Sequence, residues 1–170
     1  MTDASTTVPA TCDLGDAHKT TLDGSFRVLP PVFHSYGGVS RFAGIVVTVK
    51  CFEDNTPVKA LLESAGEGRV LVVDGGGSLR RALVGGNIAA AAAKNGWAGV
   101  VVDGCVRDKA ELAAAKVGLM ALGLMPLPTD RKIAGAQQIP VQIQGVIVRP
   151  GEWLCADEDG VVILPAAPQA

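Results

Sequence analysis

Three runs of β-branched and small apolar residues constrain this chain more than anything else in it. Phe42–Val49 reads FAGIVVTV, Arg69–Val73 reads RVLVV and Gly99–Asp103 reads GVVVD. None alternates apolar with polar, so neither face of such a strand is built to meet water. Strands of this kind belong to sheets covered on both sides, which are mostly parallel. Parallel neighbours need a crossover, usually a helix, and the intervening segments supply candidates. Asp54-Asn55-Thr56-Pro57 places a polar cap before a proline at a first helical position, and Val58, Leu61 and Leu62 give that helix an apolar face.

The run Asp74-Gly75-Gly76-Gly77-Ser78 reads as a tight strand-to-helix turn, and Leu79 to Asn95 is helical in pattern with an interruption at Gly85-Gly86. Each glycine inside a helix costs roughly 1 kcal/mol against alanine. The chain is therefore expected to break at the pair, with a helix starting afresh near Asn87 and closing at Asn95-Gly96. Gly104 to Asp108 is expected as a turn, followed by a short helix through Lys116 and a fourth strand over Leu119–Leu124. Thr11–Ala17 can open a short helix capped by Thr11 or Asp13. After Pro128, the segments Val141–Val148 and Trp153–Leu164 alternate and read as antiparallel hairpins, with turns at Arg149-Pro150-Gly151 and Glu158-Asp159-Gly160. The succession predicts an α/β domain with a mixed central sheet over residues 11–170, behind a flexible leader over residues 1–10.

Composition bounds the function. Hydrophobic residues are 48% and charged residues 19% of 170, enough apolar material for a packed core. Aromatics are only 4%, so that core is made of Val, Leu, Ile and Ala. The net charge is −2 and no basic tract of five or more occurs, so direct nucleic-acid binding is not expected. No apolar stretch is long enough to span a bilayer, and residues 1–10 lack the apolar region of a secretory signal. Cys12, Cys51, Cys105 and Cys155 form no C-x-x-C pair. Buried free thiols at Cys51 and Cys105 fit a reducing, cytoplasmic setting.

Three constellations carry possible chemistry. The glycine run at Asp74–Ser78 lacks the lysine of a nucleotide-phosphate loop, and the dinucleotide pattern fails at its third glycine; a plain turn explains it, although free N–H groups there could hold a carboxylate. Gly85-Gly86-Asn87-Ile88 opens a helix. It reads either as a helix break or as a place where an anion approaches backbone N–H groups closely. Arg107-Asp108 closes a buried strand, where ligands of open α/β sheets sit. The arginine offers a bidentate fork to a carboxylate, and the aspartate offers oxygen to Mg²⁺ or Mn²⁺. The bland alternative is a surface ion pair with Asp108 capping the next helix. His18 and His34 are isolated, no nucleophile elbow is present, and Lys94 and Lys109 lie outside apolar strands. Asp157-Glu158-Asp159-Gly160 reads as a hairpin turn, or as an acidic turn able to help hold a cation across a subunit boundary.

Taken together, RVLVVDGGGSLR (Arg69–Arg80), GGNI (Gly85–Ile88) and NGWAGVVVDGCVRD (Asn95–Asp108) resemble one family. It is the regulator of ribonuclease E activity A family, which includes the class II 4-hydroxy-4-methyl-2-oxoglutarate aldolases. The likeness extends through ATCDLGDA at the start, Phe52-Glu53-Asp54-Asn55, and GEWLCADEDG over residues 151–160. The resemblance implies a swivelling β/β/α fold assembled as a homotrimer, sometimes a hexamer. It implies that Gly85, Gly86, Asn87, Ile88 and Arg107 bind substrate, that Arg107 and Asp108 are catalytic, and that Asp108 associates with a divalent cation, Mg²⁺ or Mn²⁺. The implied reaction is cleavage of 4-hydroxy-4-methyl-2-oxoglutarate and related 4-hydroxy-2-oxo acids to pyruvate, with oxaloacetate decarboxylation on the side.

The resemblance carries an alternative as well: a non-enzymatic protein that binds and inhibits a ribonuclease E-type RNA-degrading complex. Pure regulators of the family can lack the aspartate that stands here at Asp108. Methyl transfer from S-adenosylmethionine is disfavoured, because the glycine loop has no matching acidic ribose partner. One departure stands out. Many aldolases of the family carry an acidic residue 21 positions before the arginine, where this chain has Gly86. The water network around a cation would then draw on Asn87 or Asp103.

Overall fold

The structure is a computed structural model and describes residues 7–130 and 135–169. Residues 1–6 of the expected leader lie outside the described residues. In chain order the elements are α1 (Thr11–His18), β1 (Arg27–Val28), β2 (His34–Ser35), β3 (Phe42–Lys50), α2 (Thr56–Leu62), β4 (Val70–Val84), α3 (Gly86–Lys94) and β5 (Gly99–Val106). There follow α4 (Lys109–Ala114), β6 (Gly118–Leu124), β7 (Ala136–Gln137), β8 (Val141–Ile143), β9 (Val146–Val148), β10 (Trp153–Asp157) and β11 (Gly160–Leu164).

The β-branched runs form the centre, as their apolarity requires. β3, β4, β5 and β6 pair in parallel, with Val47 opposite Leu71, Leu71 opposite Val100 and Val100 opposite Leu119. Antiparallel strands extend both edges, giving the order β1-β11-β10-β3-β4-β5-β6-β2, with β7 also on β3. The sheet is mixed, as expected from the sequence.

Side-chain alternation sorts the core into two layers. Val47, Val49, Leu71, Val73, Val100, Val102 and Leu119 pack with Val58 and Leu62 of α2, Ala89 and Ala92 of α3 and Leu112 of α4. Val46, Val70, Val72, Val101 and Met120 face the other way and pack with Val141, Ile143 and Val148 of the β8–β9 hairpin and Leu154 and Ile163 of the terminal strands. The terminal strands turn their outer face to α1, where Leu14 meets Trp153, Cys155, Val162 and Leu164. Trp97 ties α2 to the end of α3: its indole N–H donates to Ser64 O at 3.0 Å, and the Asn95 amide donates to Leu62 O at 3.1 Å.

The structure corrects several local expectations. Asp74–Ser78 is not a strand-to-helix turn, and Leu79–Val84 is not helical; both lie within β4. Gly76 and Gly77 adopt φ of +67° and +68°, open to glycine at little cost, and carry the strand out of register rather than into a helix. Residues Gly75–Arg81 bulge in two steps, after which Ala82 and Val84 re-pair with Cys105 and Val106. Because β4 returns, β5 also runs on, and Gly104–Val106 is strand instead of turn. The helix after Asp108 ends at Ala114, short of Lys116.

Two turns and one cap also differ. The first hairpin turns at Gln144-Gly145, between β8 and β9; Arg149-Pro150-Gly151 links β9 to β10 instead. The residue at the N-cap of α1 is Ala10, without a side-chain cap bond. The cap comes from across the chain: Asp157 accepts the Thr11 N–H at 2.8 Å and the Thr11 hydroxyl at 2.6 Å.

Candidate active site

The long pairing of β4 with β5 makes two adjacent parallel strands end side by side. Arg107 N–H donates to Val84 O at 3.0 Å, which sets Gly85 against Arg107. Gly85 is the N-cap of α3 and Gly86 its first residue, so the glycine pair that breaks the sequence pattern begins the helix one position before Asn87. Neither glycine can be given a side chain freely. A Cβ on Gly85 would lie 2.7 Å from Asp108 Oδ2 and 3.3 Å from Arg107 Nε. The absence of side chains there is what admits Arg107 and Asp108.

Asp108 sits in the left-handed region, φ +64°, ψ +49°, at the N-cap position of α4. Aspartate tolerates this conformation better than most residues, and unusual backbone of this sort gathers at functional sites. Its carboxylate does not cap α4. Oδ2 instead accepts the Gly86 N–H of α3 at 3.0 Å and lies 3.8 Å from Arg107 Nε. The surface-ion-pair alternative is therefore half right: the pair exists, but it rests on the start of the neighbouring helix.

Gly85, Gly86, Asn87, Ile88, Arg107 and Asp108 all line one cleft of about 140 Å³. That is room for several water molecules or a small organic acid. The N–H groups of the first turn of α3 have no intrahelical acceptors and carry the positive end of the helix dipole, so the cleft favours an anion. The Asp108 carboxylate already occupies one of those donors.

Other residues of the site could not be read from the sequence. Asn55, Lys59 and Pro128 also line the cleft. Their only sequence signal is the i,i+4 spacing of Asn55 and Lys59, which says they share a helix face but not what that face meets. Glu111 of α4, packed against Gly86 behind the cleft, is another. A Cβ on Gly86 would fall on its carboxylate and 2.6 Å from its Cβ, so Glu111 fills the space that an acidic residue at position 86 would need. Asp103, in contrast, does not line the cleft. It lies on the far face of the sheet under the β8–β9 turn, where Gln144 Nε2 donates to its Oδ1 at 2.7 Å. Burial pushes the Asp103 carboxyl above its ordinary range; the Gln144 hydrogen bond opposes this and the Asp74 charge adds to it.

The remaining candidates are ordinary. His18 stacks on Phe26 at 5.0 Å and His34 is exposed on β2. Among the described residues, no group of three or more His, Cys, Asp or Glu is placed to hold a metal ion. No helix among them is long and apolar enough to cross a membrane.

This geometry sits on a fold shared with known proteins. A family model, RraA-like (aldolase/RraA), matches residues 11–163. The chain belongs to the RraA-like family. Among RraA-like relatives, a protein of Albidiferax ferrireducens named "Putative 4-hydroxy-4-methyl-2-oxoglutarate aldolase" is 64% identical over 162 residues, covering 91% of this chain and 94% of its own. A Burkholderia multivorans protein of the same name is 57% identical over 155 residues, with the same coverage. Among solved structures, the RNA-processing inhibitor RraA from Thermus thermophilis superposes with a TM-score of 0.89 at 48% identity, covering 95% of this chain and 96% of that one. A Geobacillus kaustophilus structure named S-adenosylmethionine:2-dimethylmenaquinone methyltransferase superposes at 0.88 with 40% identity, covering 94% and 96%. RraA-like proteins thus carry three different functional names on one fold, and the site must decide among them.

Proposed function

We propose that this chain is a divalent-cation-dependent class II aldolase, a lyase. It cleaves 4-hydroxy-4-methyl-2-oxoglutarate and related 4-hydroxy-2-oxo acids to pyruvate and decarboxylates oxaloacetate. One observation carries the reading: a guanidinium (Arg107), a carboxylate (Asp108) and an anion-seeking helix start (Gly85–Ile88) converge on one small cleft.

The donor set fits a largely hydrated Mg²⁺ or Mn²⁺. Asp108 Oδ1 has no partner among the described residues, and one carboxylate is an adequate anchor for an ion that keeps several waters. Asp108 would hold it. When bound, the ion supplies Lewis-acid polarisation of the 2-oxo group. The chain's own residues perform the rest. N–H groups of Asn87 and Ile88 hold the C1 carboxylate. Arg107 hydrogen-bonds the 2-oxo oxygen, where negative charge collects as the C3–C4 bond breaks and the 4-hydroxyl gives its proton to solvent water; a proton from water then returns to C3 of the enolate and completes pyruvate. Stabilising that developing enolate is worth about 3–4 kcal/mol of barrier. Loss of CO₂ from oxaloacetate places charge on the same oxygen, so one site serves both reactions.

The test is a lactate dehydrogenase-coupled assay for pyruvate from both substrates. EDTA should silence the protein and added Mg²⁺ or Mn²⁺ restore it. Full activity in EDTA removes the ion from the scheme; no pyruvate at any cation concentration removes the aldolase. A second reading is a regulator of a ribonuclease E-type complex. The 48% identical Thermus relative named as an RNA-processing inhibitor favours it. Inhibition of ribonuclease E cleavage, equal in wild type and Arg107→Ala, is its test. The proposal includes a cytoplasmic homotrimer or hexamer, measurable by light scattering, and one domain over residues 11–170 behind a leader over residues 1–10.

A further inference from the structure

We infer that Lys59, with Asn55 one helical turn before it, recognises the distal carboxylate of a dicarboxylate substrate and so selects dianions over monoanions. The inference rests on the aldolase reading for its substrate but on separate residues for its substance. The cleft has two cationic side chains in its lining, and they come from different elements: Arg107 after β5, and Lys59 on α2. The wall with Arg107 and the start of α3 accounts for one carboxylate and the 2-oxo group. Nothing in that half needs a second cation.

The α2 wall is built to bind an anion. Lys59 N–H donates to Asn55 O at 2.9 Å, so the two side chains leave one face of the helix. The Asn55 amide is oriented by Thr129. The Thr129 hydroxyl donates to Asn55 Oδ1 at 2.9 Å, and its oxygen accepts the Asn55 backbone N–H at 3.4 Å. With its oxygen taken, Asn55 presents its NH₂ donors, which have no partner among the described residues, beside Lys59. Thr129 is buried, which fixes the arrangement. The Lys59 ammonium pairs with Glu63 at 2.8 Å, but both side chains are substantially exposed, at 39% and 50%. Exposed i,i+4 pairs of this kind are weak, so a substrate carboxylate can replace Glu63 at little cost.

The experiment uses the full chain with its cation and two pairs of ligands. For turnover, 4-hydroxy-4-methyl-2-oxoglutarate is compared with 4-hydroxy-2-oxopentanoate, which has the same 2-oxo acid head and no distal carboxylate. For binding, 2-oxoglutarate is compared with 2-oxobutyrate by calorimetry. In Lys59→Met, KM for the glutarate should rise roughly ten- to hundredfold, as expected for a lost charge-assisted hydrogen bond. Its kcat should stay within about threefold, and the pentanoate should be unaffected. The preference for 2-oxoglutarate over 2-oxobutyrate should vanish, and Lys59→Arg should restore both preferences. Equal effects on both members of each pair, or no effect, overturn the inference while leaving the aldolase reading intact. A wild type that cleaves neither substrate yet binds 2-oxoglutarate through Lys59 overturns the aldolase reading alone. Thermal melting of each variant guards against a folding defect.

Discussion

A methyl group at residue 85 would stand 2.7 Å from the Asp108 carboxylate, and at residue 86 it would strike Glu111. Both glycines therefore hold open the space in which charged groups meet, and their substitution should be felt in catalysis before stability. Arg107→Ala is expected to lower kcat/KM for oxaloacetate by about 10²–10³, matching about 3–4 kcal/mol of lost charge stabilisation. Its circular dichroism melt should be unchanged, since the side chain is partly exposed and its one backbone acceptor, Pro126 O, is distant at 3.4 Å. Asp108→Asn keeps an acceptor for the Gly86 N–H and a residue suited to φ +64°, yet loses the charge. Its melt should also persist, while the Mg²⁺ concentration for half-maximal activity rises at least about tenfold. A parallel loss of melting temperature in either variant would mean the pair is structural. The sequence marked Gly85–Ile88 as a helix start and Arg107-Asp108 as a strand end, and the family resemblance, not the residue types alone, joined them into one candidate site. Asn55, Lys59 and Glu111 were not legible as part of it, because only tertiary packing brings α2 and α4 to the start of α3.

Among the elements, the buried strands announced themselves through β-branched runs that no amphipathic helix would carry. The far half of β4 did not. Leu79 and Leu83 stand four apart and read as helical, and a left-handed Gly76-Gly77 bulge looks in sequence like a strand-to-helix turn. The two-residue strands β1, β2 and β7 exist only because larger strands offer them an edge. Two elements invite tests. Gly99 and Gly118, at the starts of β5 and β6, lie under the Phe42 ring, which an added Cβ at either position would strike. Gly99→Ala should cost about 1–3 kcal/mol in urea unfolding, as overpacking does; a cost below that range would mean that Phe42 moves freely. At α1, burial raises the Asp157 carboxyl, but the Thr11 hydroxyl and N–H, the Asp159 N–H and Arg41 outweigh it and hold the carboxyl below its ordinary range. A lowered folded-state pKa stabilises above the unfolded value, about 3.9, and the gain disappears as pH falls through the folded value. Asp157→Asn should therefore melt lower than wild type at pH 6, by about 1–2 kcal/mol, with the gap closing towards pH 2.

At the scale of the whole molecule, burial governs the thiols. Cys51 is pushed up to about 12, by burial first and then by the charges of Asp54 and Asp74; Cys155 is pushed up to about 11, by burial first and then Asp157. Cys105 is buried as well, and Cys12 alone is exposed. Native protein at pH 8 should react with a thiol reagent at one site, slowly because Asp159 raises the Cys12 thiol, and at four sites once unfolded in guanidinium. Rapid reaction of a second thiol in native protein would point to a loosened core.

The bulged stretch of β4 has a wider consequence. The strand bulges between Asp74 and Ala82, touching β5 only at Ser78, so the position of its final residues is dictated by β5 and not by how much chain lies between. Lengthening or recomposing that detour would change the protein's outward profile, and through Arg81, which donates to Pro128 O at 3.3 Å, it would also reach the rim of the cleft.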